Sequence, residues 1–90
     1  MAIEVKIPTI LRTHTGGQKV VSANGDTLAA LIEDLEANHP GIKDRLLDSA
    51  ELRRFVNVYV NDEDVRFAGG LNTPLSDGDQ VVVLPAVAGG

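Results

Sequence analysis

The sequence predicts an α+β fold, one mixed sheet crossed by a single main helix, and three observations carry that expectation. Ile3, Val5 and Ile7 alternate with Glu4 and Lys6, the period of a half-buried strand. Leu28, Leu31, Ile32 and Leu35 stand at i, i+3, i+4 and i+7, which is one apolar stripe of a helix. Two further apolar runs, residues 55–60 and 80–84, follow the helix and are rich in β-branched side chains.

Each element has its own justification. The first strand ends at Pro8, and residues 13–17 carry turn chemistry, with Gly16-Gly17 free to take positive φ. Residues 19–23 resume as a second strand, so the first two strands form a hairpin. Asn24-Gly25-Asp26-Thr27 stops that strand, and Asp26 or Thr27 is suited to accept the first free amides of the helix. Glu33, Asp34 and Glu36 fall on its wet side, Pro40-Gly41 ends it, and residues 42–47 read as one more short helical turn. Residues 47–54 read as a surface connection. The strand at 55–60 breaks at Asn61-Asp62-Glu63-Asp64, and residues 65–67 are suited to pair back across that turn. Thr73-Pro74-Leu75 and Ser76-Asp77-Gly78-Asp79 form a tight turn into the last strand, whose unbroken apolar run predicts a central position covered on both faces. Closing this order with the first and last strands side by side and the helix across them gives a β-grasp arrangement.

Composition narrows the function. A chain of 90 residues buries about 60–65% of its unfolded surface, one modest core. Hydrophobic residues at 43% and charged residues at 23% describe an ordinary globular protein. With no Cys there is no disulfide framework, thiolate metal site or cysteine nucleophile. A net charge of -5 and only 3% aromatics argue against nucleic acid as a partner. No apolar stretch approaches a membrane span, and no basic-then-apolar leader opens the chain, so a cytoplasmic location is the default.

The chemistry is expected at the C-terminus. Residues 1–85 make up the predicted domain, and residues 86–90, Ala86-Val87-Ala88-Gly89-Gly90, are expected to form an exposed, flexible tail. Fully extended, five residues reach about 16–18 Å. Gly89 and Gly90 lack Cβ atoms, so with Val87 and Ala88 they make a stalk thin enough to thread a narrow channel in another protein. Gly90 carries the α-carboxylate, a poor electrophile until it is activated, for instance as an acyl-adenylate.

The chain resembles the ubiquitin-like sulfur carriers, which include the carriers for thiamin and molybdopterin synthesis. It is most similar to the cysteine-biosynthesis branch of actinobacteria. The resemblance spans essentially the whole chain. It rests on Ile7-Pro8-Thr9-Ile10-Leu11-Arg12, Thr15-Gly16-Gly17-Gln18-Lys19, Gly25-Asp26-Thr27-Leu28 and Asp34-Leu35-Glu36-Ala37-Asn38. It also rests on residues 58–67, Val58-Tyr59-Val60-Asn61-Asp62-Glu63-Asp64-Val65-Arg66-Phe67, and on residues 84–90. The Gly-Gly end is common to all branches, and the 61–67 run and the 7–12 opening favour the cysteine branch. Between Leu47 and Arg54 the match is looser.

The resemblance implies a carrier, not an enzyme. An E1-like adenylyltransferase and sulfurtransferase would activate Gly90 with ATP and install a thiocarboxylate. A cysteine-synthase-like pyridoxal-phosphate enzyme would accept the sulfur, and a zinc-dependent peptidase would release cysteine after an S-to-N shift. ATP, pyridoxal phosphate and zinc therefore belong to partners, and the chain itself binds no cofactor. The alternatives are a carrier for molybdopterin or thiamin synthesis, a protein modifier forming isopeptides through Gly90, and a passive interaction domain.

Other residues carry bland readings. His14 and His39 sit in predicted turns without a spaced partner, and Asp62-Glu63-Asp64 lacks the spacing of a calcium loop. Gly16-Gly17 and Gly69-Gly70 are not followed by the Lys-Ser/Thr of a phosphate loop. The late strands carry more apolar residues than one core face needs, so either loops cover the surplus or an apolar face is left for a partner; in the second case Val58, Val60, Phe67 and Leu84 are the candidates, with the adenylating enzyme the expected partner.

Overall fold

The computed structural model describes residues 3–48, 51–52 and 56–85. Strand β1 (Ile3–Lys6) pairs antiparallel with β2 (Val20–Ala23), the expected hairpin. Helix α1 (Leu28–Asn38) and the short α2 (Ile42–Leu46) follow, then a small hairpin of β3 (Leu47–Asp48) and β4 (Glu51–Leu52). Strands β5 (Val56–Val60), β6 (Glu63–Asp64) and β7 (Gln80–Pro85) complete a five-stranded sheet in the order β2-β1-β7-β5-β6. β1 and β7 run parallel at its centre, with Val5 opposite Val81. This is the β-grasp order read from the sequence.

Local chemistry explains the boundaries. Thr27 caps α1, its hydroxyl accepting the Ala30 amide at 3.2 Å. The predicted stripe of Leu28, Leu31, Ile32 and Leu35 is buried against the sheet. Gly25 lets the chain pass against the helix, because a Cβ there would lie 2.5 Å from the Leu31 amide nitrogen. The Glu36 carboxylate accepts the amides of Gly41 and Lys43, joining the end of α1 to the start of α2. Those two hydrogen bonds, Lys43 first, hold the Glu36 carboxyl below its ordinary pKa. The β5–β6 turn places Asn61 and Asp62 at positive φ (50° and 71°), a conformation that Asn and Asp tolerate better than most residues.

The structure corrects four expectations. Residues 9–15 form a 3₁₀ segment, Thr9–Thr15, where a turn was expected from Thr13; Leu11 on its inner side is buried, and that burial outweighs the local turn preference. Residues 65–67 are a 3₁₀ turn, not a strand, because the Asp64 carboxylate accepts the Arg66 amide and Val65 turns into the core; the returning strand is Glu63–Asp64 instead. Leu47 pairs with Leu52 and Asp48 with Glu51, strand pairing that was not expected within the 47–54 connection. β7 is central but not covered on both faces: Val81 and Val83 are buried under the helices, whereas Leu84 is 45% exposed.

Candidate functional site

Strand alternation fixes what each face of the sheet presents. In β5, Val56, Val58 and Val60 point to the helices, and Asn57 and Tyr59 point the other way. The register then aligns rows across the open face. Ser22, Glu4 and Gln80 form one row, and Val20, Lys6, Val82, Tyr59 and Asp64 form the next. Leu84 and Asn57 follow as neighbours at the end where β7 runs out at Pro85.

Chemistry is graded along this face. Its far end is polar, with the Gln80 amide donating to Glu4 at 3.3 Å. Beyond it, the Asp79 carboxylate accepts the Asn61 side-chain amide and the Ser76 amide, which hold its pKa low. Toward Pro85 the face becomes apolar and basic. Val20, Val82 and Leu84 line a shallow groove of about 240 Å³ together with Lys6, Arg12 and Lys19. Arg12 is oriented there by its Nε donating to the Ile7 carbonyl at 3.2 Å. A chain with a net charge of -5 thus collects three cations around the end of its last strand.

The expected site residues divide accordingly. Val87, Ala88, Gly89 and Gly90, with the rest of the expected tail, lie outside the described residues. Val58 and Val60 cannot form a partner face: they are only 1% and 9% exposed and belong to the core. Leu84 is on the open face, and Phe67, 87% exposed, stands on the 3₁₀ turn after β6. Residues that sequence reasoning missed are Tyr59, Val82, Val20, Lys6, Arg12 and Lys19. Asn57 was the available signal, since one polar residue in a valine strand marks the wet phase.

The bland readings also have structural addresses. His14 lies in the 3₁₀ segment and His39 caps the end of α1 through its backbone. Asp62-Glu63-Asp64 belongs to the β5–β6 hairpin. Among the described residues no three His, Cys, Asp or Glu side chains gather as a metal site, and no helix is long and apolar enough to cross a membrane.

Comparison with known proteins agrees with this geometry. A family profile described as the ThiS family matches residues 5–90. The chain is 67% identical to the sulfur carrier protein CysO of Mycobacterium tuberculosis, with both chains covered in full. It superposes on the Amycolatopsis orientalis BexX/CysO complex structure with a TM-score of 0.95 at 61% identity, covering 99% of this chain and 100% of the other. It is also 34% identical to the small archaeal modifier protein 3 of Haloferax volcanii, again over the full length of both. On fold, length and sequence together, the chain belongs to the ThiS family and is a small carrier rather than a catalyst.

Proposed function

We propose that the chain carries sulfur as a thiocarboxylate on Gly90 for cysteine biosynthesis. The Gly90 carboxylate attacks the α-phosphate of ATP on an adenylating partner, and pyrophosphate leaves. A sulfide equivalent then attacks the acyl-adenylate carbonyl, AMP leaves, and the carbonyl carbon keeps the sulfur. A cysteine-synthase-like partner with pyridoxal phosphate would supply a three-carbon amino-acid acceptor for the thiocarboxylate sulfur; once the product's amine is free, it would attack the thioester carbonyl, and the acyl group would pass from S to N and leave a free thiol. A zinc-dependent peptidase cleaves the new amide and releases cysteine. The chain's own contribution is delivery: β7, gripped on both sides in the sheet, leads into the Gly-Gly end beside an apolar, basic surface suited to docking.

The observation that carries the reading is the 67% identity to a sulfur carrier over the full length of both chains, in a chain ending in Gly89-Gly90. The likeness to an archaeal modifier favours a second reading, in which the same activated carboxylate acylates lysine side chains. Intact mass of the untagged protein, taken from its native cells, separates the two. Replacement of one oxygen by sulfur, or an added cysteinyl group, supports the carrier. Higher-mass conjugates with an unmodified free pool support the modifier, and neither species refutes both.

A further inference from the structure

Hydrogen bonding along β5 reveals a task for Arg66. The Asn61 amide donates to the Gln80 carbonyl at 2.9 Å, which sets the alternation of the antiparallel β5–β7 ladder. Counting back, Tyr59–Val82 and Asn57–Leu84 are the hydrogen-bonded pairs, and Val56–Pro85 is not. The Val56 carbonyl therefore points away from β7, toward the outer edge of β5. There β6 pairs only with Tyr59 and Val60, so among the described residues no strand reaches the outer side of Val56. Arg66 fills the gap. Its Nη2 donates to the Val56 carbonyl at 2.7 Å, and its Nη1 donates to the Asn57 side-chain oxygen at 2.6 Å. The Asp64 carboxylate, accepting the Arg66 amide at 2.9 Å, fixes the turn from which the guanidinium reaches.

We infer that Arg66 is a positioning residue for the C-terminal tail. Its planar fork replaces a missing strand at the edge of β5, and so holds the last hydrogen-bonded pair of the ladder, Asn57–Leu84, shortly before the residues that lead to Gly90. A charge-assisted pair of bonds at this place is strong enough to decide whether the end of the ladder frays. Without it, the Asn57–Leu84 end of the ladder would open more often, and fewer encounters with a partner would present Gly90 productively. The kinetic part of this inference rests on the proposed activation of Gly90, whereas the ladder part does not.

Arg66→Gln and Arg66→Lys in the full chain provide the test. Amide hydrogen exchange should accelerate by roughly tenfold or more at Asn57 and Leu84, with Tyr59 and Val82 little changed. With the adenylating partner, Arg66→Gln should raise KM for the carrier at unchanged kcat, because a threaded carboxylate is chemically the same. Arg66→Lys should recover part of the protection, since one donor remains. Equal acceleration at all four amides, or none at any, would overturn the inference. Local fraying with an unchanged KM would leave Arg66 a structural clamp only and overturn its positioning role. If parent and variants alike are never adenylated, the proposed function fails while the exchange result still stands.

Discussion

Replacing Gly25 with Ala tests how closely the chain passes helix α1. The new Cβ would stand 2.5 Å from the Leu31 nitrogen, 2.8 Å from its Cα and 2.9 Å from the Ala30 carbonyl carbon. Carbon contacts are comfortable at about 3.5–4.0 Å, so the helix must retreat by roughly 1 Å. All three atoms are backbone, so no rotamer change relieves the clash. Such overpacking costs about 1–3 kcal/mol, and the stiffer unfolded chain returns about 0.4–1 kcal/mol. The net loss, at most about 2.6 kcal/mol and about 1.3 kcal/mol at mid-range, lowers Tm by about 5–10 °C at mid-range in a domain of this size. Gly78→Ala is the control: its φ is +89° but nothing lies within 4 Å, so only backbone strain of about 1–2 kcal/mol applies. Differential scanning calorimetry reads both, and a backbone crystal or NMR comparison should show α1 displaced in the Gly25 variant alone. A Gly25→Ala chain melting within about 2 °C of the parent, with α1 unmoved, would refute the close approach.

The folded pKa of Glu36 lies below its ordinary 4.5, so its contribution to stability is complete above that value and is lost as pH falls through the folded one. Glu36→Gln should lower the neutral-pH melting point and flatten its acid decline; an unchanged acid slope in calorimetry would count against the two amide bonds. Leu84→Glu on the open face should fold normally yet reduce capture by the adenylating partner proposed above about tenfold or more, a change of at least about 1.4 kcal/mol. Val58→Ala, in the core, should instead lose about 2 kcal/mol of stability and keep partner affinity. The reverse pattern in paired titration and denaturation experiments would move the docking surface to the other face.

Strand order and the main helix were legible in the sequence because their periods are strong and mutually consistent. Ile3, Val5 and Ile7 allow one phase only, and the Leu28–Leu35 stripe allows one helical face. Signals failed where long-range packing overrode local chemistry. The Val81-Val82-Val83-Leu84 run is apolar at every position, so it carries no phase, and only pairing with β1 and β5 shows which residues stay outside. Val65 is likewise β-branched and strand-like, but burial at that position bends the chain into a 3₁₀ turn. Of the candidate site, Leu84 and Phe67 were readable as exposed apolar residues. The cations Lys6, Arg12 and Lys19 were not, since they gather only when the β1–β2 hairpin and the 3₁₀ segment between its strands have folded.

The parallel pairing of β1 with β7 has a consequence for biosynthesis on the ribosome. The two inner strands come from residues 3–6 and 80–85, so a nascent chain lacks the middle of its sheet until residues 80–85 have been made. Pairings of such large sequence separation form late and slowly. Prematurely terminated products therefore stay unfolded and open to proteases, whereas any product long enough to bear Gly89 and Gly90 also holds every strand needed to fold.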